Sequence, residues 1–312
     1  MLGEQDLTAA IDFLADDSPL RGSCTYIVGT PGKRFRAALT FDAAGYGERP
    51  NDPLVRDAAV AIELFHAATL AHDDVVDDGE MRRGKPTIGA HAGNLAASLA
   101  GGWLFGRTIE LVAGIGDKAA ARFGGVAGKV CEGEILETRD LYDTGRTYER
   151  YLEAIEAKTA CLIAFAGWLG ATAGGASDEH AESLGRYGEA VGMAFQIADD
   201  VLDLVGDPAL TGKTAGSDLR QGVITLPVIY ALQQDDELRQ ALARGPQEYE
   251  LPGLVERVKE VGGIDAALGE CVAWIARAES SLPPVSPMPE HGERLVALAR
   301  QVSIRVEGMV PK

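Results

Sequence analysis

The sequence predicts an all-α protein, a single-domain bundle of long helices, and three observations support that fold class. Apolar residues recur at spacings of three and four through most of the chain, as at Val55, Ala58 and Ile62, whereas the alternation expected of strands is almost absent. Alanine and glycine are abundant, which lets helices approach one another closely. Glycine pairs at 174–175 and 262–263 interrupt the periodic segments and mark helix ends.

These breaks divide the chain into candidate helices of unequal length, with the longest between residues 53 and 204. We predict helices at residues 5–16, 33–45, 53–78, 88–114, 118–142, 147–173, 178–204, 223–233, 236–244, 251–261, 264–281 and 290–306. No low-complexity linker separates domains, because the proline-rich stretch SLPPVSPMPE at 281–290 is a loop before the last helix. One helical domain is therefore expected over residues 1–312.

Composition and charge exclude several classes of protein. With 312 residues, 46% of them hydrophobic and 24% charged, the chain has the balance of a globular protein with a sizeable core. The formal net charge of −18 disfavours nucleic acid and anionic lipid as partners, since both bind basic surfaces. No apolar run is long enough for a membrane span, and the start MLGEQDLTAA lacks the layout of a signal peptide. We therefore expect a cytoplasmic protein.

Two acidic triplets share one spacing, with aspartates at i, i+1 and i+4. On a helix, this spacing puts the first and last carboxylates on one face. Like charges one turn apart destabilise a helix by roughly a few tenths of a kcal/mol, and the C-terminal end of a helix disfavours anions further. A solvated acidic face is the alternative, but apolar residues surround both triplets. We predict Mg²⁺ sites at Asp73, Asp74 and Asp77 and at Asp199, Asp200 and Asp203.

Several cations occur where they could meet phosphate groups near these triplets. They are Arg82 and Arg83 after the first triplet, Lys213 after the second, Lys33, Arg34 and Arg36 within PGKRFR, and Lys158 beside Thr159. PGKRFR is expected in the first turn of a helix, where an anion is favoured over a cation. Each cation alone is explained by a long side chain covering apolar surface. Their occurrence together with two acidic triplets favours a diphosphate site.

Three further patterns carry no catalytic prediction. The four cysteines lie far apart without a CxxC grouping, so we expect reduced core residues rather than a zinc site or disulfides. GDPALTGKT at 206–214 is close to a phosphate-binding P-loop, but five residues rather than four separate its glycines and a helix precedes it. ELFH is a lone Glu-x-x-His without the second copy that a di-iron bundle needs.

Taken together, these segments resemble the trans-isoprenyl diphosphate synthases of the polyprenyl synthetase family. HDDVVDDGEMRRGKPT at 72–87 resembles the first aspartate-rich motif of the family, and FQIADDVLDLVGD at 195–207 resembles the second. PGKRFR, AKTA, LTGKTAGSDL and TLP match further family landmarks in the same order. The resemblance implies a bundle of long helices around a central cavity, usually a homodimer. It also implies a prenyltransferase that condenses isopentenyl diphosphate with an allylic prenyl diphosphate, using three Mg²⁺ ions per active site.

The resemblance also implies a role for each matching position. Asp73, Asp77 and Asp199 would ligate Mg²⁺, with Asp74, Asp200 and Asp203 completing or orienting the ligand shells. Arg82, Lys158, Thr159, Gln196 and Lys213 would hold the allylic diphosphate, and Lys33, Arg36, His66 and Arg83 would bind isopentenyl diphosphate. Cleavage of the allylic C–O bond leaves a diphosphate anion and a carbocation. Metals and fixed cations stabilise that anion, and a dry apolar wall protects the carbocation from water.

Two positions depart from the family pattern, and other residues bear on product length. Val223 stands where the family commonly has a lysine, and Gly102 stands where it has an aspartate. Product length in the family is limited just upstream of the first motif, where Ala68 and Thr69 are small. Their size favours a product of C30 or longer over C15 or C20. Phe65, or an aromatic from another helix such as Phe105, could still form a floor.

Four other functions remain open from the sequence. One is a geranylgeranyl or farnesyl diphosphate synthase, which differs only in product length. A class I terpene cyclase binds one diphosphate, so the apparent second cationic site argues against it. A regulatory subunit of a heteromeric synthase often loses acidic motifs, and both are intact here. A helical cation-binding protein would bind Mg²⁺ regardless of diphosphate.

Overall fold

The computed structural model describes residues 4–12, 14–30, 32–82, 84–206, 215–284 and 288–307. These residues are mostly helical, which confirms the predicted all-α class. A two-stranded antiparallel hairpin pairs β1 (Met81–Arg82) with β2 (Lys85–Pro86). The helices are α1 (Glu4–Ile11), α2 (Arg21–Val28), α3 (Phe35–Ala44), α4 (Pro53–Val76), α5 (Ile88–Ala92), α6 (Asn94–Ile115), α7 (Asp117–Arg139), α8 (Tyr148–Ile155), a π-helix (Glu156–Ala160), α9 (Cys161–Ala173), α10 (Asp178–Val205), α11 (Ser217–Gln221), α12 (Leu226–Ala231), α13 (Asp236–Ala243), a 3₁₀ turn (Glu248–Glu250), α14 (Leu251–Glu260), α15 (Gly263–Ser281) and α16 (Pro289–Glu307).

The chain divides into two compact units. The first unit contains residues 1–124, 166–184 and 283–292, and the second contains residues 125–165, 185–282 and 293–312. Each unit has its own share of the predicted site residues. The single domain expected over residues 1–312 stays a prediction.

The sequence missed one helix and predicted one where the structure has two, both for identifiable reasons. Helix α2 lies where the sequence predicts none, because its residues RGSCTYIV are weak helix formers and tertiary burial of Cys24, Ile27 and Val28 stabilises it instead. The helix predicted at 88–114 is two helices, because Gly93 adopts φ +88° and ends α5 before α6 begins.

A π-helix interrupts the segment predicted as one helix at 147–173. It spans Glu156–Ala160 and carries Lys158 and Thr159, and such bulges are frequent at functional sites. A β-carbon added at Gly133 would lie 2.3 Å from the Lys158 backbone nitrogen, so only glycine allows α7 to pass this close. By length and composition Tyr148–Ala173 could cross a membrane, but 78% of its most apolar window is buried in the protein, as in a core helix.

The core of the first unit lies between α4 and α6. Alanines at Ala68, Ala71, Ala97 and Ala100 pack there with Leu104, and all five are buried. Small side chains on both helices permit a close approach, and each buried leucine contributes roughly 1.5–3 kcal/mol relative to exposure. This packing fixes the C-terminal end of α4, where the first acidic triplet lies.

The second unit holds α10 closely against the segment that contains the π-helix. A β-carbon at Gly192 would lie 2.6 Å from Cα of Ala160, and one at Gly188 would lie 2.4 Å from the carbonyl oxygen of Ile163. These glycines are one turn apart on α10, so they form a groove that accepts the neighbouring backbone. The second acidic triplet therefore starts two turns beyond a rigid contact.

Candidate active site

The first acidic triplet lies at the C-terminal end of α4. Asp52 caps the start of this helix by accepting a hydrogen bond from the backbone N–H of Leu54 at 3.0 Å. At the other end the Asp77 N–H donates to the carbonyl of Asp73 at 2.8 Å, and Asp78 turns into the left-handed region with φ +50°. The predicted end at residue 78 is thus two residues late, and Asp77 is the C-cap.

The three aspartates of this triplet differ in burial. Asp73 is half-buried and Asp77 is exposed, whereas Asp74 is only 5% exposed. Oδ1 of Asp74 accepts a hydrogen bond from Nε of Arg82 at 2.6 Å. Burial raises the pKa of Asp74, and the ion pair with Arg82 offsets only part of that effect. Asp74 thus anchors strand β1, while Asp77 is exposed and Asp73 is partly exposed.

The sequence predicted PGKRFR in the first turn of a helix, but not all of its cations lie there. Helix α3 begins at Phe35, so only Arg36 lies in its first turn, and Lys33 is exposed before it. Arg34 adopts φ +48°, and its Nη1 lies 3.2 Å from Oε2 of Glu63. Oε1 of Glu63 also accepts the Ala37 N–H at 3.1 Å. Arg34 therefore fixes the start of α3 rather than facing a ligand.

His66 lies on the same face of α4 as Asp73, because seven residues make about two helical turns. It is half-buried, and so is Arg36. The first unit thus carries Lys33, Arg36, His66, the first triplet and Arg82. Arg83 and Lys213 lie outside the described residues.

The second triplet lies near the end of α10 and repeats the pattern of burial at its first two positions. Asp199 is exposed, whereas Asp200 is 4% exposed. Tyr151 donates its hydroxyl to Oδ2 of Asp200 at 2.6 Å, and Nε2 of Gln196 donates to Oδ1 at 2.8 Å. Burial raises the pKa of Asp200 to about 7, against the opposing effect of these two hydrogen bonds. Asp200 therefore turns into the protein.

Asp203 connects α10 to the short helix α11. Its Oδ1 accepts a hydrogen bond from Oγ of Ser217 at 2.6 Å, and its Oδ2 accepts one from the Asp218 N–H at 3.1 Å. The N-cap of α11 is Gly216, which has no side chain to cap the helix. Asp203 supplies the missing cap from another helix, which is favourable for an anion at a helix N-terminus.

Lys158 points to two carboxylates on α7. Its Nζ lies 2.5 Å from Oε1 of Glu137 and 2.9 Å from Oε2 of Glu134. Burial alone would lower the pKa of Lys158, but the two ion pairs outweigh it and raise that pKa. In the same region, Oγ1 of Thr159 donates to Oε1 of Gln196 at 2.8 Å. The second unit thus carries Lys158, Thr159, Gln196 and the second triplet, and hydrogen bonds join Thr159, Gln196 and Asp200 to one another.

Sequence reasoning missed several residues that orient these side chains: Glu63, Glu134, Glu137, Tyr151 and Ser217. Glu134 and Glu137 had a readable signal, since two carboxylates at i, i+3 share one face of a predicted helix. Tyr151 had none, because a buried tyrosine on an amphipathic helix cannot be distinguished from a core residue by spacing.

Comparison with known proteins identifies the family. A family model described as Polyprenyl synthetase matches residues 17–258. The chain belongs to the polyprenyl synthetase family. Heptaprenyl diphosphate synthase component 2 of Geobacillus stearothermophilus is 38% identical over 306 residues, which cover 97% of this chain and 94% of the relative. Nonaprenyl diphosphate synthase of Mycobacterium tuberculosis is 36% identical over 286 residues, covering 90% and 85%.

A solved structure agrees with the fold of this polyprenyl synthetase. The polyprenyl synthase from Caulobacter crescentus, complexed with calcium and isoprenyl diphosphate, matches with a TM-score of 0.88 at 31% identity, covering 97% of this chain and 93% of that one. The isoprenoid-synthase fold expected from the motifs is thereby confirmed. As a member of this family the chain is a prenyltransferase, which confirms the predicted enzyme class.

Polyprenyl synthetases in general depend on Mg²⁺, and the residues of this chain fit that ion in one particular way. Across the described ranges, no group of three or more His, Cys, Asp or Glu side chains forms a ready metal site. Asp73 and Asp77 are one turn apart, the first partly exposed and the second exposed, and Mg²⁺ is usually held by one or two carboxylates together with substrate phosphates and water. The chain therefore suits an ion that arrives with a diphosphate.

Proposed function

We propose that this enzyme condenses isopentenyl diphosphate with an allylic prenyl diphosphate, head to tail, to make a trans-polyprenyl diphosphate of C30 or longer. The observation that carries the proposal is the shared design of the two acidic triplets. In each one the first aspartate is at least partly exposed and the second is buried and hydrogen-bonded inside the protein. Two relatives named for heptaprenyl and nonaprenyl products support the product length.

We assign the allylic diphosphate to the metal-binding aspartates and a set of fixed donors. Asp73, Asp77 and Asp199 would hold the Mg²⁺ ions, expected to number three, with Asp74, Asp200 and Asp203 as their supports. Mg²⁺, when bound, offsets the negative charge that develops on the leaving diphosphate. Arg82, Lys158, Thr159, Gln196 and Lys213 would orient that diphosphate, and Lys158 would exchange a glutamate for a phosphate oxygen to do so.

The second substrate needs its own cations, because isopentenyl diphosphate keeps its diphosphate through the reaction. We assign it to Lys33, Arg36, His66 and Arg83. Ionisation of the allylic C–O bond gives a carbocation, the isopentenyl double bond attacks it, and a proton leaves to the released diphosphate. Apolar side chains would have to exclude water from this centre, because water would otherwise capture the cation.

Product length is assigned to side chains on α4 and its neighbours. Ala68 is buried in the α4–α6 core, while Thr69 is half-buried. Phe65 lies about two turns, or about 12 Å, before Asp73. Its ring centroid lies 5.7 Å from that of Phe105 and 5.0 Å from that of Phe123. These three phenylalanines form a cluster. A growing prenyl chain that reached this cluster could not be extended past it.

Product analysis tests this assignment. Phe65→Ala should shift the products of dephosphorylated extracts to longer chains, and Thr69→Phe should shift them to shorter ones. Leu104→Ala is the control, because it removes a buried side chain of the same core but keeps all three phenylalanines. An unchanged length distribution in Phe65→Ala would contradict a floor at this position.

A second copy of this chain is the proposed partner, with its contact on α6. Leu95, Leu99 and Ile109 are 75%, 52% and 45% exposed, and they share with Gly102 and Gly106 the 4-3-4-3 spacing of a helix-pairing face. An added β-carbon at either glycine would meet nothing within 4 Å. Such an open apolar face is costly in water and suits a partner helix.

Light scattering after size exclusion tests the dimer. Leu99→Asp should give a monomer, whereas Val272→Asp, at an exposed valine on α15, should leave the dimer intact. A wild-type monomer would contradict the homodimer. Turnover that requires a different added chain would also contradict it, and one relative is named as a component, heptaprenyl diphosphate synthase component 2.

The reaction itself is tested by incubation with allylic diphosphate, isopentenyl diphosphate and Mg²⁺. A longer linear prenyl diphosphate that needs both substrates is the expected product. A cyclic hydrocarbon made from the allylic substrate alone would contradict the proposal and identify a terpene cyclase. We further propose a cytoplasmic location without nucleic-acid partners, consistent with the charge of −18.

A further inference from the structure

The hydroxyl of Tyr151 is buried inside the second unit. The residue is 1% exposed, and a phenylalanine would bury the same ring without a polar atom. A buried hydroxyl is tolerated only when it is hydrogen-bonded. Its partner is the carboxylate of Asp200 at 2.6 Å, which is a charge-assisted length when Asp200 is ionised. The hydroxyl therefore has a specific acceptor in the second triplet.

A continuous chain of hydrogen bonds runs from Tyr151 to Thr159. Tyr151 donates to one oxygen of Asp200, Gln196 donates to the other at 2.8 Å, and Thr159 donates to the Gln196 carbonyl at 2.8 Å. Each polar atom in the chain has a single direction, so the Gln196 amide cannot turn over without losing two bonds. The chain ties α8, the π-helix and α10 to one another.

The Tyr151 ring is held from another side by Arg146. Its guanidinium carbon lies 5.4 Å from the ring centroid, within the range of a cation–π contact. Arg146 is itself buried, pairs with Asp140 at 3.3 Å and donates to the carbonyl of Ile224 at 2.9 Å. With its ring clamped in this way, Tyr151 presents its hydroxyl from a fixed point.

We propose that Tyr151 is a positioning residue for Mg²⁺–diphosphate binding, which acts by holding Asp200 and, through Gln196 and Thr159, the residues on either side. Asp199 lies within the turn of α10 that the Gln196–Asp200 hydrogen bond spans, and Lys158 adjoins Thr159 in the π-helix. Fixing Asp200 therefore sets the direction of both the exposed aspartate and the lysine. This inference rests on the proposed function, because it assumes that Asp199 and Lys158 meet the diphosphate.

The test compares Tyr151→Phe with Tyr187→Phe. Tyr187 is an equally buried tyrosine of the second unit, and its hydroxyl donates to the backbone carbonyl of Leu295 at the same 2.6 Å. Mg²⁺ binding in the presence of inorganic diphosphate is measured by calorimetry, with thermal unfolding in parallel. Tyr151→Phe should weaken Mg²⁺ affinity about 10- to 100-fold, as removal of groups that orient metal ligands commonly does. Tyr187→Phe should keep the wild-type affinity at a similar loss of stability.

Two results would overturn the inference: wild-type Mg²⁺ affinity in Tyr151→Phe, or an equal loss of affinity in Tyr187→Phe. If Tyr151→Phe does not fold, the far end of the chain gives the answer through Thr159→Val, which removes the donor, and Thr159→Ser, which keeps it. Weak Mg²⁺ binding in the valine variant with recovery in the serine variant supports the inference, and wild-type affinity in the valine variant refutes it. If the wild-type protein binds Mg²⁺ and diphosphate but does not extend the prenyl chain, the proposed function is wrong and the inference about Tyr151 still stands.

Discussion

The two acidic triplets share a spacing but stabilise their middle aspartate in different ways. Asp74 pairs with a cation, Arg82, which lies eight residues later in the same stretch of chain. Asp200 accepts hydrogen bonds from two neutral donors, and Tyr151 lies 49 residues away in sequence. The first triplet is therefore completed locally and by charge, whereas the second is completed by tertiary packing and by dipoles.

The last aspartates of the triplets also differ. Asp77 is the exposed C-cap of α4, whereas the Asp203 carboxylate caps the N-terminus of α11. The last carboxylate of the first triplet is thus exposed, whereas that of the second is hydrogen-bonded to α11. Repetition of a sequence pattern does not make the two copies equivalent, because the partners of each carboxylate decide which oxygens can reach a ligand.

The largest effect is expected where the triplets are alike, at their first aspartates. Asp73→Ala and Asp199→Ala should each reduce turnover by at least about 100-fold, since each removes a carboxylate proposed to hold the ion that stabilises the leaving group. Helical content measured by circular dichroism should stay near the wild-type value, because neither side chain is buried. Near-normal turnover in either variant would show that the first aspartates of the two triplets do not both hold Mg²⁺ for the reaction.

Local patterns predicted the fold class and the position of both triplets, because helical periodicity and motif spacing are properties of neighbouring residues. The pairing of Arg82 with Asp74 could have been predicted in the same way. The support of Asp200 could not, because no local rule relates Tyr151 to a carboxylate on another helix. Helix α2 was missed for a related reason, since burial of its apolar residues outweighs poor intrinsic propensity.

The role of Glu63 shows where a motif argument discards too much. ELFH is an isolated Glu-x-x-His and does not indicate a di-iron site. Its glutamate, Glu63, nevertheless has a structural role. Its buried carboxylate holds Arg34 in a left-handed conformation and caps the first turn of α3 through Ala37. The sequence displayed the charge, but only the fold shows which backbone it orders.

A smaller effect should show how strongly the middle aspartate of the first triplet depends on its charged partner. Arg82→Met should lower the free energy of unfolding by about 1–3 kcal/mol, because it leaves a buried carboxylate without its charged donor. The effect is measured by urea unfolding. Lys259→Met, which removes a more exposed pair with Glu256 at 3.5 Å, is the control and should change stability by no more than about 0.5 kcal/mol. Equal losses in both variants would mean that the Asp74 pair is an ordinary surface pair.

The smallest effect concerns the last aspartate of the second triplet. Ser217→Ala removes one of the two hydrogen bonds to Asp203 but keeps the backbone bond from Asp218, so the free energy of unfolding should fall by about 1 kcal/mol. The matched control is Thr147→Ala, which removes an ordinary side-chain cap from α8, where Thr147 accepts the Arg150 N–H. Asp203→Ala should cost more than Ser217→Ala, because it removes both bonds and leaves α11 with only a glycine at its N-cap. If Asp203→Ala unfolds no more easily than Ser217→Ala, the carboxylate does not cap α11, and Asp203 would resemble Asp77 of the first triplet after all.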